Sequence, residues 1–396
     1  MKTTTVLCIA AIASFYFSCS SCNQIADDLP GIDVRKNYIE KEFFLTDIAD
    51  VSYLHLNSDN EGYLYGGSIR VITENLVVIF DWRRESGDIF FFSKDGNPQS
   101  RFNRRGNGPG EYQNISHIYY DEEADDVFVF QYMDTRGLVF SSTGKFKREI
   151  ALPQGTRMGN DLVSVDNHAF FFYDANNEYQ RVMEDDHTTE IDVARYYLIS
   201  KIDGVALDCI ELSIPPIFLG IYLDGARIPA RSKIRLISKK EGILICNPES
   251  DTVFLYGRDR SLIPILHKIP LTIDSNPITY LNNCVDMGNY QFFEVYTVRA
   301  GDIYPGVFPV KYYMRNKITG EIFQQKLLLP EYTGKELVIT PLHAKMSGSE
   351  NSIYFELDLL ELKQAYAQNK LSGTLKELVS TLKEDDNNVY VMVQFK

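Results

Sequence analysis

Asp88-Ile89-Phe90-Phe91-Phe92-Ser93-Lys94-Asp95-Gly96 decides how this chain folds. A run of β-favouring apolar residues leads straight into a short polar turn. That turn ends on glycine, which takes up the positive φ of a hairpin without strain. The unit recurs as Phe140-Ser141-Ser142-Thr143-Gly144, Ile199-Ser200-Lys201-Ile202-Asp203-Gly204 and Met314-Arg315-Asn316-Lys317-Ile318-Thr319-Gly320. Arg258-Asp259-Arg260-Ser261 is a glycine-free version between the last two. The spacing is roughly 50–60 residues, too long for one hairpin and suited to a four-stranded propeller blade with its loops. Over residues 42–396 this period predicts an all-β fold, a six-bladed β-propeller.

One stretch breaks the strand pattern. Leu375, Leu378, Val379 and Leu382 lie at i, i+3, i+4 and i+7 within residues 371–383, the stripe of an amphipathic helix. Asp385-Asp386-Asn387-Asn388 ends it, and Val389 to Val393 returns to strand. The reading is a short helical insertion before the last strand. The segment from Phe43 to Leu56 is predicted to pair with that strand and close the ring, which removes exposed sheet edges.

Composition narrows the function classes. The 24 Phe and 25 Tyr beside a single Trp lean toward β structure. A formal net charge of −14 argues against a nucleic-acid partner and against electrostatic attachment to an anionic membrane. Cys209, Cys246 and Cys284 are isolated in apolar stretches and read as buried free thiols.

The N-terminus has the pattern of an export signal. Lys2 supplies the positive region and Val6 to Phe17 the apolar one, about a dozen residues and too short to span a bilayer. Phe17-Ser18-Cys19 follows, and resembles the lipobox of bacterial lipoproteins. The resemblance implies a signal peptide over residues 1–18 and lipid attachment at Cys19, with Cys22 as the alternative. Residues 19–41 then read as a flexible tether, polar and acidic. The expected location is the cell envelope, with the membrane reached only through the anchor.

Arg101-Phe102-Asn103-Arg104-Arg105-Gly106-Asn107-Gly108-Pro109-Gly110-Glu111-Tyr112 resembles the G-x-G-P-G-E-Y signature of the Bacteroidetes six-bladed β-propeller lipoproteins, distant relatives of the NHL-repeat propellers. Leu45 to Leu56 is similar to that family's opening strand, and Asn247 to Phe254 to its mid-chain strand. The resemblance implies a fold and an anchor. It implies no defined activity.

The glycine-rich loop fails as a phosphate cradle. Gly110 is followed by Glu111-Tyr112 where a P-loop needs Lys-Ser or Lys-Thr, and the Rossmann spacing is absent. Its plainest role is a shaped connection between blades, with Glu111 accepting main-chain N–H bonds. The functional alternative has Arg104 and Arg105 holding an anionic ligand group. Trp82, with Arg83 and Arg84, follows a strand and offers an aromatic face for a sugar ring or a cation.

Asn57-x-Asp59-x-Glu61-Gly62 matches the first half of a calcium loop but lacks the closing Glu, with Ser68 there, and Asp121 to Asp126 reads as a solvated turn. No metal or cofactor is therefore expected. No G-x-S-x-G or H-E-x-x-H motif occurs, so no catalytic residue is assigned. The leading expectation is a binding module for a small molecule, glycan or envelope protein. The competing one is a glycan-active hydrolase or lyase with paired carboxylates in the central channel.

Overall fold

The computed structural model describes residues 29–58, 62–83, 86–176, 192–214, 220–223, 226–229, 236–274, 277–298, 310–340 and 351–396. Five sheets are antiparallel meanders of four strands in chain order. The first blade is Ser68–Ile72, Leu76–Phe80, Asp88–Ser93 and Pro98–Asn103. The second is Ile115–Asp121, Asp126–Gln131, Arg136–Phe140 and Phe146–Ala151, and the third Met158–Ser164, Ala169–Asp174, Asp192–Ser200 and Ala206–Ile214. Leu236–Lys239, Gly242–Ile245, Thr252–Gly257 and Leu262–Ile269 form the fourth. Ile278–Met287, Tyr290–Val298, Val310–Asn316 and Ile322–Leu328 form the fifth.

The first strands of blades one to four touch in succession, which sets them around a common axis. Apolar clusters fill the wedges between neighbouring sheets. Phe91 packs edge-on to Tyr120 between blades one and two, and Phe128 to Phe170 between two and three. Phe171 stacks on Tyr256 between three and four, with centroids 4.9 Å apart. Such aromatic pairs add to the burial of their area, and they account for the Phe and Tyr excess.

A further sheet has three strands, Ser352–Leu357, Val389–Phe395 and the N-terminal Ala49–His55. It packs between the fifth blade and the first, with Tyr354 and Tyr390 in one cluster with Ile69 and Phe92. Of the segment Phe43–Leu56 predicted to pair there, Ala49–His55 does so, in the register His55–Val389 to Ala49–Phe395, while Phe43 and Phe44 pair with the fifth blade and Leu45–Ile48 forms one helical turn. The expectation of six four-stranded blades is corrected: among the described residues five sheets carry the full meander.

All five repeat turns have a left-handed residue: Gly96, Gly144, Gly204, Gly320 and, without glycine, Arg260 at φ 66°. At Arg260 local chemistry replaces glycine's freedom. The Asp259 carboxylate accepts the Ser261 N–H at 3.0 Å, an Asx turn, and Arg260 Nη1 donates to the Leu207 carbonyl at 3.2 Å.

Two findings differ from the sequence reading. The connection before the last strand holds two helices, Leu359–Ala367 and the predicted one at Gly373–Thr381. The second is capped from outside. Glu331 accepts from Thr374 Oγ1 at 3.1 Å and from the Leu375 N–H at 2.8 Å.

The tether also ends earlier than residue 41. Gly31–Asp33 adds a parallel strand to the edge of the fourth blade, and Glu40–Phe44 another to the fifth. Fully buried Ile32 and nearly buried Val34 fix this course despite the acidic surroundings.

Candidate functional site at the loop-bearing end

A four-stranded meander divides its connections between two ends. The link between strands two and three and the link to the next blade leave one end. The other two turns leave the opposite end. Among the described residues the first end carries the long connections, including residues 104–114 and the connection that holds the two helices. The opposite end carries tight turns such as 73–75, 94–97 and 201–205. Binding residues concentrate on loops held by a rigid scaffold, so the loop-bearing end is where a site belongs.

The structure brings Trp82, Arg83, Arg104, Arg105 and Glu111 together at this end, in the 81–88 connection and the adjoining glycine-rich link. Most of them build the loops. Arg105 Nη1 reaches the Ser86 carbonyl at 3.3 Å, and the buried Tyr112 hydroxyl donates to the Gly87 carbonyl at 2.9 Å. Arg104 Nε donates to the Gly144 carbonyl of the second blade at 2.8 Å. Glu111 accepts the Gly108 N–H at 2.7 Å, the loop-forming role expected of it. The glycine-rich stretch is thus a shaped connection. Arg84 lies outside the described residues.

Arg83 is held by Asp81, whose side chain is fully buried. Its Nε lies 3.0 and 2.9 Å from the two carboxylate oxygens, and Nη2 also bonds Oδ2. Burial pushes the Asp81 carboxyl up, but these bonds and the N–H groups of Arg83 and Gly66 outweigh it and hold it below 3.8. The third blade repeats the device at Asp174, which accepts the N–H of Arg157 and of Asn176, each at 3.0 Å. Trp82 itself stands 63% exposed on this rigid base.

The sequence reading missed the innermost strands. The ladder to the second strand is broken by a bulge in blades one, two, three and five. The extra residues are Arg70, Ser116, two within Gly159–Asp161, and Asn283. Bulges re-aim side chains and gather beside sites. The only legible signal was a polar residue inside an apolar run, as in Ser68-Ile69-Arg70-Val71-Ile72.

Arg70 is the most telling of these. Its guanidinium lies over the Phe80 ring, 5.6 Å from the centroid, while its Nε is buried without a hydrogen-bond partner. Burial lowers its pKa. A buried guanidinium edge without an acceptor is costly, and an anionic ligand would relieve that cost.

The acidic turn is structural. Asp126 pairs with Lys147 and Arg148, each at 2.8 Å, and Asp125 accepts the Ser142 N–H. Among the described residues no group of three or more His, Cys, Asp or Glu converges on one point. Residues 59–61 of the other candidate calcium loop, and Cys19 and Cys22, lie outside the described residues. No helix among the described residues is long and apolar enough to cross a membrane.

No curated protein matches this chain. Among solved structures, a protein of Bacteroides fragilis NCTC 9343 described as exported is 14% identical, with a TM-score of 0.58 over 93% of this chain and 99% of its own. A member of the DUF4221 family from Bacteroides vulgatus ATCC 8482 is 12% identical, with a TM-score of 0.49 over 88% and 99%. The first likeness shows a shared fold and nothing finer. The profile of a domain of unknown function, DUF4934, matches residues 29–394, from the first rim strand to the closing one, and this chain belongs to that family.

Proposed function

We propose that the protein is an exported, lipid-anchored binding module that takes up a ligand carrying an anionic group at the loop-bearing mouth of its propeller. The observation that carries this reading is Arg70, half-buried on a bulge of an innermost strand, with its Nε atom buried and unpaired. The three-stranded sheet serves as a sixth blade that completes the wall of the channel. Export and anchorage rest on the signal pattern ending at Cys19, and the exported description of the Bacteroides fragilis protein agrees with export alone.

Binding is favoured over glycan hydrolysis by what the carboxylates do. A hydrolase needs two carboxyl groups free to exchange protons across a pocket. Asp81, Glu111 and Asp174 instead hold main-chain N–H groups.

A thermal-shift and calorimetry screen of the protein against acidic and neutral saccharides, peptides and nucleotides tests the reading, with products followed by mass spectrometry. An acidic compound is expected to raise Tm and remain intact, because binding to the folded state stabilises it. Arg70→Met should weaken that binding at least tenfold. Turnover of a saccharide, or equal binding by Arg70→Met, would overturn the proposal.

A further inference from the structure

Blades one and two carry the same arrangement of ring and arginine. In blade one, the connection between the second and third strands, residues 81–87, holds exposed Trp82. Arg105, in the link to blade two, donates from Nη1 to the Ser86 carbonyl of that connection at 3.3 Å. In blade two, the corresponding connection, residues 132–135, holds Tyr132, which is 52% exposed. Arg157, in the link to blade three, donates from Nη1 to its Met133 carbonyl at 2.8 Å. Each blade thus presents one aromatic ring and one arginine tied to the loop that bears the ring. The scaffold does not demand this. The fourth blade's connection, Cys246 to Asp251, has no aromatic residue, and Cys246, Asn247 and Glu249 are buried in it.

The two units are joined. The link that holds Arg105 runs on to Asn114, whose carbonyl accepts the Tyr132 N–H at 3.0 Å. The same link presents the exposed amides of Asn107 and Gln113, which bond each other. The carboxylates of this arc are turned to internal use. Asp81 is held by Arg83, and Asp88 accepts from Ser86 Oγ at 2.9 Å. Asp134 accepts from Gln131 Nε2 at 2.8 Å, and Asp174 takes the N–H groups of Arg157 and Asn176. Arg83, Arg105 and Arg157 stay exposed, so a chain of net charge −14 turns arginines outward here.

We infer that this arc takes an acidic polysaccharide of the uronic-acid type, laid across blades one and two. Separate sugar rings of one chain stack on Trp82 and Tyr132, and their carboxylates pair with Arg105 and Arg157. A site built twice asks for a ligand that repeats. An exposed aromatic face takes the apolar face of a sugar ring, and a guanidinium takes a carboxylate in two parallel bonds. A folded protein partner would need a contiguous apolar core. Here the link between the rings presents Arg105, Asn107 and Gln113 instead. A nucleic-acid strand would need a basic track for its phosphates, which the acidic balance of the chain argues against. The inference rests on the anionic-ligand reading above and names the class of that ligand. It depends on neither the lipid anchor nor Arg70.

Trp82 is the single tryptophan of the chain, so its fluorescence reports directly on the first unit. The full chain is titrated with oligogalacturonates and oligomannuronates from dimer to octamer, and with their methyl esters. Polyglutamate and oligothymidylate serve as the peptide and nucleic-acid alternatives, and calorimetry accompanies the fluorescence. One of the acid octamers is expected to change Trp82 emission and to bind at least tenfold more tightly than its dimer, because one chain then engages both units. Its methyl ester should bind at least tenfold more weakly. Tyr132→Ala with Arg157→Gln should abolish the gain with length and keep the Trp82 response to the dimer. Three results on the unaltered protein would each overturn the inference: no gain with length, equal binding of the methyl ester, or an equal response to polyglutamate or oligothymidylate. A small acid that binds through Arg70, with no response to either uronate series, would overturn it and leave the anionic-ligand reading standing. Binding of no acidic compound at all would overturn both.

Discussion

Glu111 Oε2 occupies the space that a side chain at Gly106 would need: a Cβ built there lies 2.0 Å from it. The glycines of the signature therefore make room for a carboxylate and not for a phosphate. Gly106→Ala is expected to expel Glu111 and free the Gly108 N–H, at a cost of about 1–3 kcal/mol. Urea denaturation would measure it. Glu111→Ala should cost a similar amount, and the two together less than their sum, because both remove one bond.

Asp81 holds the Trp82 loop, so Asp81→Ala should be among the more damaging substitutions in the first blade. It leaves two N–H groups and a half-exposed guanidinium without their acceptor, at a cost of about 1–3 kcal/mol. The pH dependence has a definite sign. The folded-state pKa lies below 3.8, so the stabilisation is complete above the unfolded value and fades as pH falls through the folded one. Asp81→Asn should flatten that part of the acid-denaturation curve. An unchanged curve would count against the pairing.

Lys201 is only 3% exposed, with Nζ 4.1 Å from the Tyr119 ring centroid and 4.8 Å from that of Phe170. Burial pulls its pKa down to about 8 from 10.5. The folded state gives up this proton before the unfolded chain does. Stability from this group should therefore rise with pH between those values, by on the order of 2–3 kcal/mol. The difference in urea midpoint between the protein and Lys201→Met, followed from pH 7.5 to 10.5, isolates the effect. A pH-independent difference would refute it.

Glu331 substitutes for a missing N-cap on helix Gly373–Thr381, where Ser372 makes no side-chain cap bond. Glu331→Ala is expected to cost about 1 kcal/mol. Faster amide exchange confined to the first turn of that helix is the signature to look for. Uniform loss of protection would point to a wider role.

The sequence made strands and turns legible for different reasons than it hid the rest. Gly96, Gly144, Gly204 and Gly320 announce their turns because few other residues take their φ. The helix at Gly373–Thr381 shows its stripe, with Leu375 and Val379 buried. Helix Leu359–Ala367 buries only Leu359, Leu362 and Ala365 and gives a weaker pattern.

Rim strands such as Gly31–Asp33 are set by a partner far along the chain, which no local pattern reports. A repeat period gives a blade count only where every blade is one continuous stretch, and a sheet built from both termini does not follow that rule. At the candidate site Arg104 and Glu111 are near neighbours in the sequence, but what each does depends on carbonyls and N–H groups that only the fold brings near. Arg70 leaves only one trace in the sequence, a charged residue inside an apolar run, and that its strand carries an extra residue shows only against the partner strand.

The last sheet makes the order of synthesis matter. Ala49–His55 leaves the ribosome early, yet its partner Val389–Phe395 emerges with the final residues. Until then the edges on either side of the seam stand unpaired. A chain cut short before residue 389 has no way to fasten that seam. It should be degraded faster than the full chain, however well its first five blades have folded.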